Sequence, residues 1–288
     1  MRSRRLAKDV LVPLLFAAPA LVYVVAISFY PTLDAVYLSF QTPFESNTLT
    51  NYRLLPYFGV YPAIDNTIAF TAAALALQFC LGLAAAMVLA QSFRAKSFVS
   101  TAIILPIGFA TVVTGVVFSF ILPASGGGYA NSALHGLGLP TVDWYGSGTM
   151  VLLTIVLADS WKNTPLITLI LLAGLTTIPR NLYEAAAVDG AGPVRRFLFV
   201  TLPNLKAFIA IALIIRGISE FNVFALFLIL GTSATPVLTT LAYDLYSTGT
   251  SLYLSTAAAT VLLGFVLVFV AVVLVLGGGG GTRGGPRG

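Results

Sequence analysis

Long apolar runs, each interrupted by a short polar stretch, set the pattern of this chain. A helix needs about 20 mostly apolar residues to cross a hydrocarbon core of about 30 Å. Six runs reach that length: Val10 to Tyr30 with an extension to Phe40, Asn66 to Phe93, Ser97 to Leu122, Thr149 to Ile178, Ala207 to Leu230, and Leu252 to Leu276. They are too uniformly apolar for barrel strands, which alternate polar and apolar positions over segments of about ten residues. The pattern predicts an all-α, polytopic membrane protein with six transmembrane helices. Two of the runs carry charges: the fourth holds Asp159 and Lys162, and the fifth holds Arg216 and Glu220.

Composition strengthens this picture. Of 288 residues, 58% are hydrophobic and 9% charged, where a soluble domain is about 45 to 50% apolar. Mean hydropathy is +0.96. With six spans both termini share a side, and that side collects Arg2, Arg4, Arg5, Lys8, Arg94, Lys96, Arg180, Arg195, Arg196, Lys206, Arg283 and Arg287 of the 15 basic residues. The opposite side has Arg53, with Glu45, Asp65, Asp143 and Asp244. Cytoplasmic loops carry the excess of Lys and Arg, so both termini are expected in the cytoplasm and the chain in the plasma (inner) membrane. The net charge of +5 then reports topology and attraction to membrane lipid headgroups, not nucleic-acid binding. The opening MRSRRLAKD precedes an apolar run longer than the roughly 7 to 15 residues of a secretory signal, and reads as a retained signal-anchor helix.

Residues 1–65 are expected to form a cytoplasmic N-terminus, the first span and an outward loop, 66–276 the transmembrane domain, and 277–288 a flexible Gly-rich tail. The loop after the third span is long enough for a short helix at Asn131 to Leu137, with Trp144 and Tyr145 at headgroup level. His135 lacks Cys, His or Glu neighbours at ligand spacing, so no metal site is expected. Cys80, the single cysteine, can form no internal disulfide.

Between the fourth and fifth spans lies YEAAAVDGAGPVRRFLFVTLP, residues 183–203. Pro179 ends the preceding run, and Asn181 with Glu184 three residues on has the spacing of a capping box. Leu182 to Asp189 predicts two turns of helix, which Gly190 stops by taking a left-handed conformation. Pro193 suits the first turn of a second short helix, which Pro203 is expected to break before the fifth span. Small alanines on a short exposed helix suit a docking element; an amphipathic interfacial loop is the competing reading.

The spacing of this segment resembles the EAA loop of the permease subunits of binding-protein-dependent ABC importers: E-A-A, three residues, G, nine residues, I, any residue, L-P. Here Glu184, Ala185 and Ala186 are followed by Gly190, by Val200 in the Ile position, and by Leu202 and Pro203. The resemblance implies an ABC importer permease fold, with Glu184, Ala185, Ala186, Asp189 and Gly190 docking on a cytoplasmic ATPase. The chain has no G-x-x-x-x-G-K-[ST] phosphate loop, so ATP and Mg are expected on two separate ATPase subunits, with no cofactor and no catalysis on this chain. NYRLLPYF, RAKSFVSTAIILP, DSWKNTPLITLILLAGLTTIP and RGISEFNVFALFLIL are similar to the first permease of carbohydrate importers of the maltose, trehalose and glycerol-phosphate types. GTSATPVL replaces the Gly-Gly-Pro common there after the fifth span. The implied partners are a second homologous permease and an extracytoplasmic sugar-binding protein.

Asp159 and Lys162 lie three residues apart, and Arg216 and Glu220 four apart, so each pair shares a helix face. A lone charge at mid-depth costs several kcal/mol, so these groups must face protein or water. One reading is a polar sugar path, with Trp161 or Phe221 as stacking faces and Asn222 as an amide partner. The other is structural ion pairing, within each helix or across the two; the resemblance puts Arg216 in a commonly basic position that need not touch substrate. An ion-coupled secondary carrier would use the same charges as a relay, but no internal repeat supports it. A membrane enzyme lacks a plausible catalytic cluster.

Overall fold

The computed structural model describes residues 16–123 and 127–278. The basic N-terminus, the start of the first span and most of the Gly-rich tail lie outside the described residues. Among those described, every regular element is helical. Five helices are long and apolar enough to cross a membrane: α1 (Phe16–Ser39), α3 (Val60–Leu89), α7 (Gly148–Thr177), α9 (Pro193–Phe221) and α12 (Leu252–Gly278). A pair, α4 (Lys96–Gly108) and α5 (Thr111–Ile121), bent by 104°, passes the same test jointly and brings the candidate spans among the described residues to as many as six. Between them run the shorter α2 (Thr50–Leu54), α6 (Gly128–Gly136), α8 (Arg180–Val188), α10 (Ala225–Leu230) and α11 (Leu238–Ser247).

The expected straight helix from Ser97 to Leu122 is therefore corrected. Pro106 sits in a tight turn, Leu105–Gly108, after which Phe109 (φ −80°, ψ 137°) and Ala110 (φ −64°, ψ 144°) are extended. A proline offers no N–H to continue the ladder, and two extended residues then turn the chain away.

The fifth span also departs from expectation, at both ends. Its helix starts at Pro193, not Ala207, and passes through Pro203 without a break. A π turn at Phe197–Thr201 precedes that proline, with the Leu202 N–H donating to the Phe197 carbonyl. The wider turn takes up the strain that a proline ring places on the carbonyl four residues earlier. α1 uses the same device, a π turn at Val25–Phe29 ahead of Pro31, and so continues to Ser39. At its other end α9 stops at Phe221 instead of running to Leu230. There the Asn222 amide donates to the Ile218 carbonyl at 2.7 Å, competing with the helical ladder, and the Thr239 hydroxyl caps the freed Val223 carbonyl at 2.7 Å.

The chain divides into two compact units, Met1–Phe58 with Leu241–Val261, and Gly59–Thr240 with Leu262–Gly288. In the first, the buried Asn51 amide donates to the carbonyls of Ser39 and Gln41 at 2.8 and 2.7 Å, closing the end of α1. The second holds the core. Phe70 and Ala74 of α3 pack with Ile155 and Val156 of α7 and with Leu226 and Phe227 of α10. Farther along, Leu83 and Ala86 meet Ile167 and Leu171 of α7 and Leu205 and Ala212 of α9. α3 and α7 approach closely at Gly82, where a Cβ would lie 2.8 Å from an Ile167 methyl. Small residues at such crossings replace the hydrophobic drive that lipid cannot supply.

Candidate functional site

Helix α8 presents an uncovered surface. Glu184, Ala185, Asp189 and Gly190 are exposed and Ala186 is half-buried, and Val188 stands 89% exposed. The expected capping box is not formed. Pro179 occupies the N-cap, with no side-chain capping bond, and Asn181 lies inside the helix. The extended backbone of Pro179 (ψ 136°) starts the helix, and the Leu182 N–H donates to its carbonyl at 3.2 Å. At the other end Gly190 adopts φ +74°. The Gly190 N–H reaches the Ala187 carbonyl at 3.1 Å and the Ala191 N–H the Ala186 carbonyl at 2.8 Å, a complete Schellman stop. The Arg196 Nε donates to the Ala191 carbonyl at 2.7 Å and fixes the turn. Tyr183 faces inward, packed on the cluster of Ile178 and Leu205, with its hydroxyl 3.0 Å from that of Thr201.

The charges in the spans are distributed otherwise than by sequence neighbours alone. Arg216 pairs closely with Glu220, one turn on, and reaches across to the Asp159 carboxylate at 3.6 Å, so α7 and α9 are joined. Lys162 does not pair with Asp159: among the described residues no ion pair or hydrogen bond holds its ammonium. The second oxygen of Asp159 instead accepts from the Asn163 amide at 2.8 Å. Gln78 of α3 completes the network. Its Nε2 donates to Asp159 at 2.8 Å and to Glu220 at 3.0 Å, while its Oε1 accepts from the Arg216 Nε at 3.1 Å. Gln78, Asp159, Arg216 and Glu220 are all buried.

A cavity of about 320 Å³ adjoins the network, and its lining includes Thr111, Asp159, Lys162, Asn163, Arg216, Ser219 and Asn222. Of the expected stacking faces, Trp161 is exposed and contacts Phe109 and Phe118, with ring centroids 5.5 and 5.8 Å away. Phe221 is buried edge-on against Phe269 at 5.5 Å and packs helices together. Sequence reasoning missed Gln78 and Asn163. The signal for Gln78 was available: an amide in the middle of an otherwise apolar span must find a partner on another helix.

Residues 78–276 match the family described as binding-protein-dependent transport system inner membrane component. The chain belongs to this family. The permease is 33% identical to the trehalose transport system permease protein SugA of Mycobacterium tuberculosis, over 100% of this chain and 94% of the relative. It is 32% identical to the trehalose/maltose transport system permease protein MalF of Thermococcus litoralis, over 82% and 83% of the two chains. In structure the permease is similar, with a TM-score of 0.80 and 23% identity, to a chain of a bacterial alginate ABC transporter solved with a pentasaccharide-bound periplasmic protein, over 94% and 96% of the chains. The all-helical membrane architecture read from the sequence is that of an ABC importer permease.

Proposed function

We propose that this permease carries a sugar, of which trehalose is the leading candidate and maltose the next, as one of two homologous permeases in an ATP-driven importer. The observation that carries the reading is the whole-length similarity to a trehalose permease. Two features of the chain support it. The uncovered α8, with its Schellman stop and its tie to Thr201, suits contact with a separate ATPase. The cavity offers hydroxyl, amide and ammonium groups at the scale of sugar hydroxyls. Two ATPase subunits bind ATP and Mg, and an extracytoplasmic binding protein delivers the sugar; this chain catalyses nothing. ATPase closure moves α8, α9 moves with it, and the path opens toward the binding protein. The excess of Lys and Arg on one side supports cytoplasmic termini and a cytoplasmic α8.

The test is uptake of radiolabelled trehalose into proteoliposomes holding the complete importer. Uptake should require ATP and the loaded binding protein. Uptake that persists without the ATPase and collapses with an uncoupler overturns the reading in favour of an ion-coupled carrier.

A further inference from the structure

We infer that Gln78 is a positioning residue for sugar passage: it keeps the charged groups of Asp159 and Arg216, which line the cavity, engaged with the buried network instead of with a sugar. The inference rests on the reading of that cavity as the sugar path. Gln78 does not line the cavity. It lies behind Asp159 and Arg216, with no exposed surface, in the middle of α3. An amide is a neutral side chain that donates and accepts at once, and here both functions are spent. The two N–H bonds go to Asp159 and Glu220, and the carbonyl oxygen takes the Arg216 Nε. With Asn163 on the other Asp159 oxygen, two of the charged groups at the cavity wall, Asp159 and Arg216, are turned toward one another.

What remains for a sugar is one ammonium on a flexible stem and a set of neutral, exchangeable groups. Ser219 and Asn222 donate to the backbone carbonyls of Ile215 and Ile218 and leave their oxygens as acceptors. Lys162 supplies the donors. A conducting site must bind well enough to admit its cargo and weakly enough to release it. Loss of Gln78 removes the donor shared by the two carboxylates and the tether on the guanidinium. Asp159 and Arg216 then keep only each other, Glu220 and Asn163 as partners, exchange some of those contacts for sugar hydroxyls, and slow release while ATP continues to be hydrolysed.

The experiment measures ATP hydrolysis and radiolabelled trehalose uptake in the same proteoliposomes, with the complete importer carrying Gln78→Leu, Gln78→Asn, Lys162→Ala or Asn222→Ala. For Gln78→Leu, binding-protein-stimulated hydrolysis should stay close to that of the parent while trehalose imported per ATP falls about fivefold or more, since one hydrogen bond alone is worth about that factor and three are lost. Gln78→Asn, which keeps the amide at shorter reach, should lie between the two. An unchanged ratio in Gln78→Leu overturns the inference. So does a parallel fall of both activities with a low yield of intact complex, provided Gln78→Asn keeps the parent ratio, because that is the behaviour of a packing residue. If Gln78→Leu does not assemble, Gln78→Asn decides by the same ratio. Should Lys162→Ala and Asn222→Ala both leave the ratio untouched, the cavity is off the path, and the underlying reading falls whatever Gln78 does.

Discussion

The Tyr183 hydroxyl lies 3.0 Å from the Thr201 hydroxyl, so the exposed helix α8 is tied to the first turns of α9 by a single polar contact. Tyr183 points inward while Glu184 and Ala185 beside it are exposed, so the anchoring face and the face proposed for docking are opposite sides of one short helix. Replacing Tyr183 by Phe keeps the ring and removes the contact, at about 1 kcal/mol. The importer should still assemble, with trehalose uptake lowered about threefold to tenfold on that energy scale. Thr201→Val should do the same, and the double variant should be no worse than either single one. Additive losses would show that the two hydroxyls act separately.

Gly190 is confined by its backbone and not by its neighbours: φ is +74° and a Cβ there would meet nothing within 4 Å. Gly190→Ala therefore tests conformation alone and should cost about 1 kcal/mol, with Gly190→Asn milder and Gly190→Val harsher. Co-purification with the ATPase should fall in the order Asn, Ala, Val. An equal effect of all three would point to a steric clash at the docking surface instead.

Gly82 presents the opposite case, since its φ is ordinary and a Cβ would lie 2.8 Å from Ile167. Gly82→Ala should destabilise the detergent-solubilised protein by about 1 to 3 kcal/mol, as overpacking does. Ile167→Ala in the same chain should make the pair less destabilised than the sum of the two single changes, because it removes the Cγ2 methyl that the new Cβ meets. Thermal denaturation of the two variants and the pair decides this.

Arg216 is the cation among the buried partners of Asp159 and Glu220. Arg216→Met leaves two carboxylates with Gln78 as their shared donor, and removal of one member of a buried ion pair costs about 3 to 5 kcal/mol. Adding Glu220→Gln should recover a large part of that stability by removing one uncompensated charge. If the combined variant is as unstable as Arg216→Met, the cost comes from lost packing of the long side chain.

Periodicity and length located the spans because burial in lipid leaves a long apolar record at each of them. The fourth span was read to within a residue at each end, Thr149 to Ile178 against Gly148–Thr177. Proline was read less well, because its effect depends on what precedes it. Pro203 follows a π turn and is carried through, whereas Pro106 leads into extended residues and breaks the span. The helix of the 183–203 segment was legible down to its stop at Gly190, whose left-handed conformation is local. Its start was not: Pro179 took the N-cap that the Asn181 and Glu184 spacing had implied for Asn181. The charge network was half legible. The Arg216 and Glu220 pairing lies within one helical turn and could be read from spacing, but Gln78 is separated from Asp159 by 81 positions and from Glu220 by 142. Contacts at that range follow from how helices cross, which local pattern does not encode.

The unbroken run of α9 has a mechanical consequence. Its 29 residues, at about 1.5 Å each, make a rod about 43 Å long that begins beside the turn fixed by Arg196 and carries near its other end, at Arg216, the guanidinium that reaches Asp159. A push delivered at one end arrives at the other as a tilt or a screw rotation. Probes placed at Arg195 and Ser219 should accordingly report the same spacing in every nucleotide state, and a change in it would place a hinge at the π turn Phe197–Thr201.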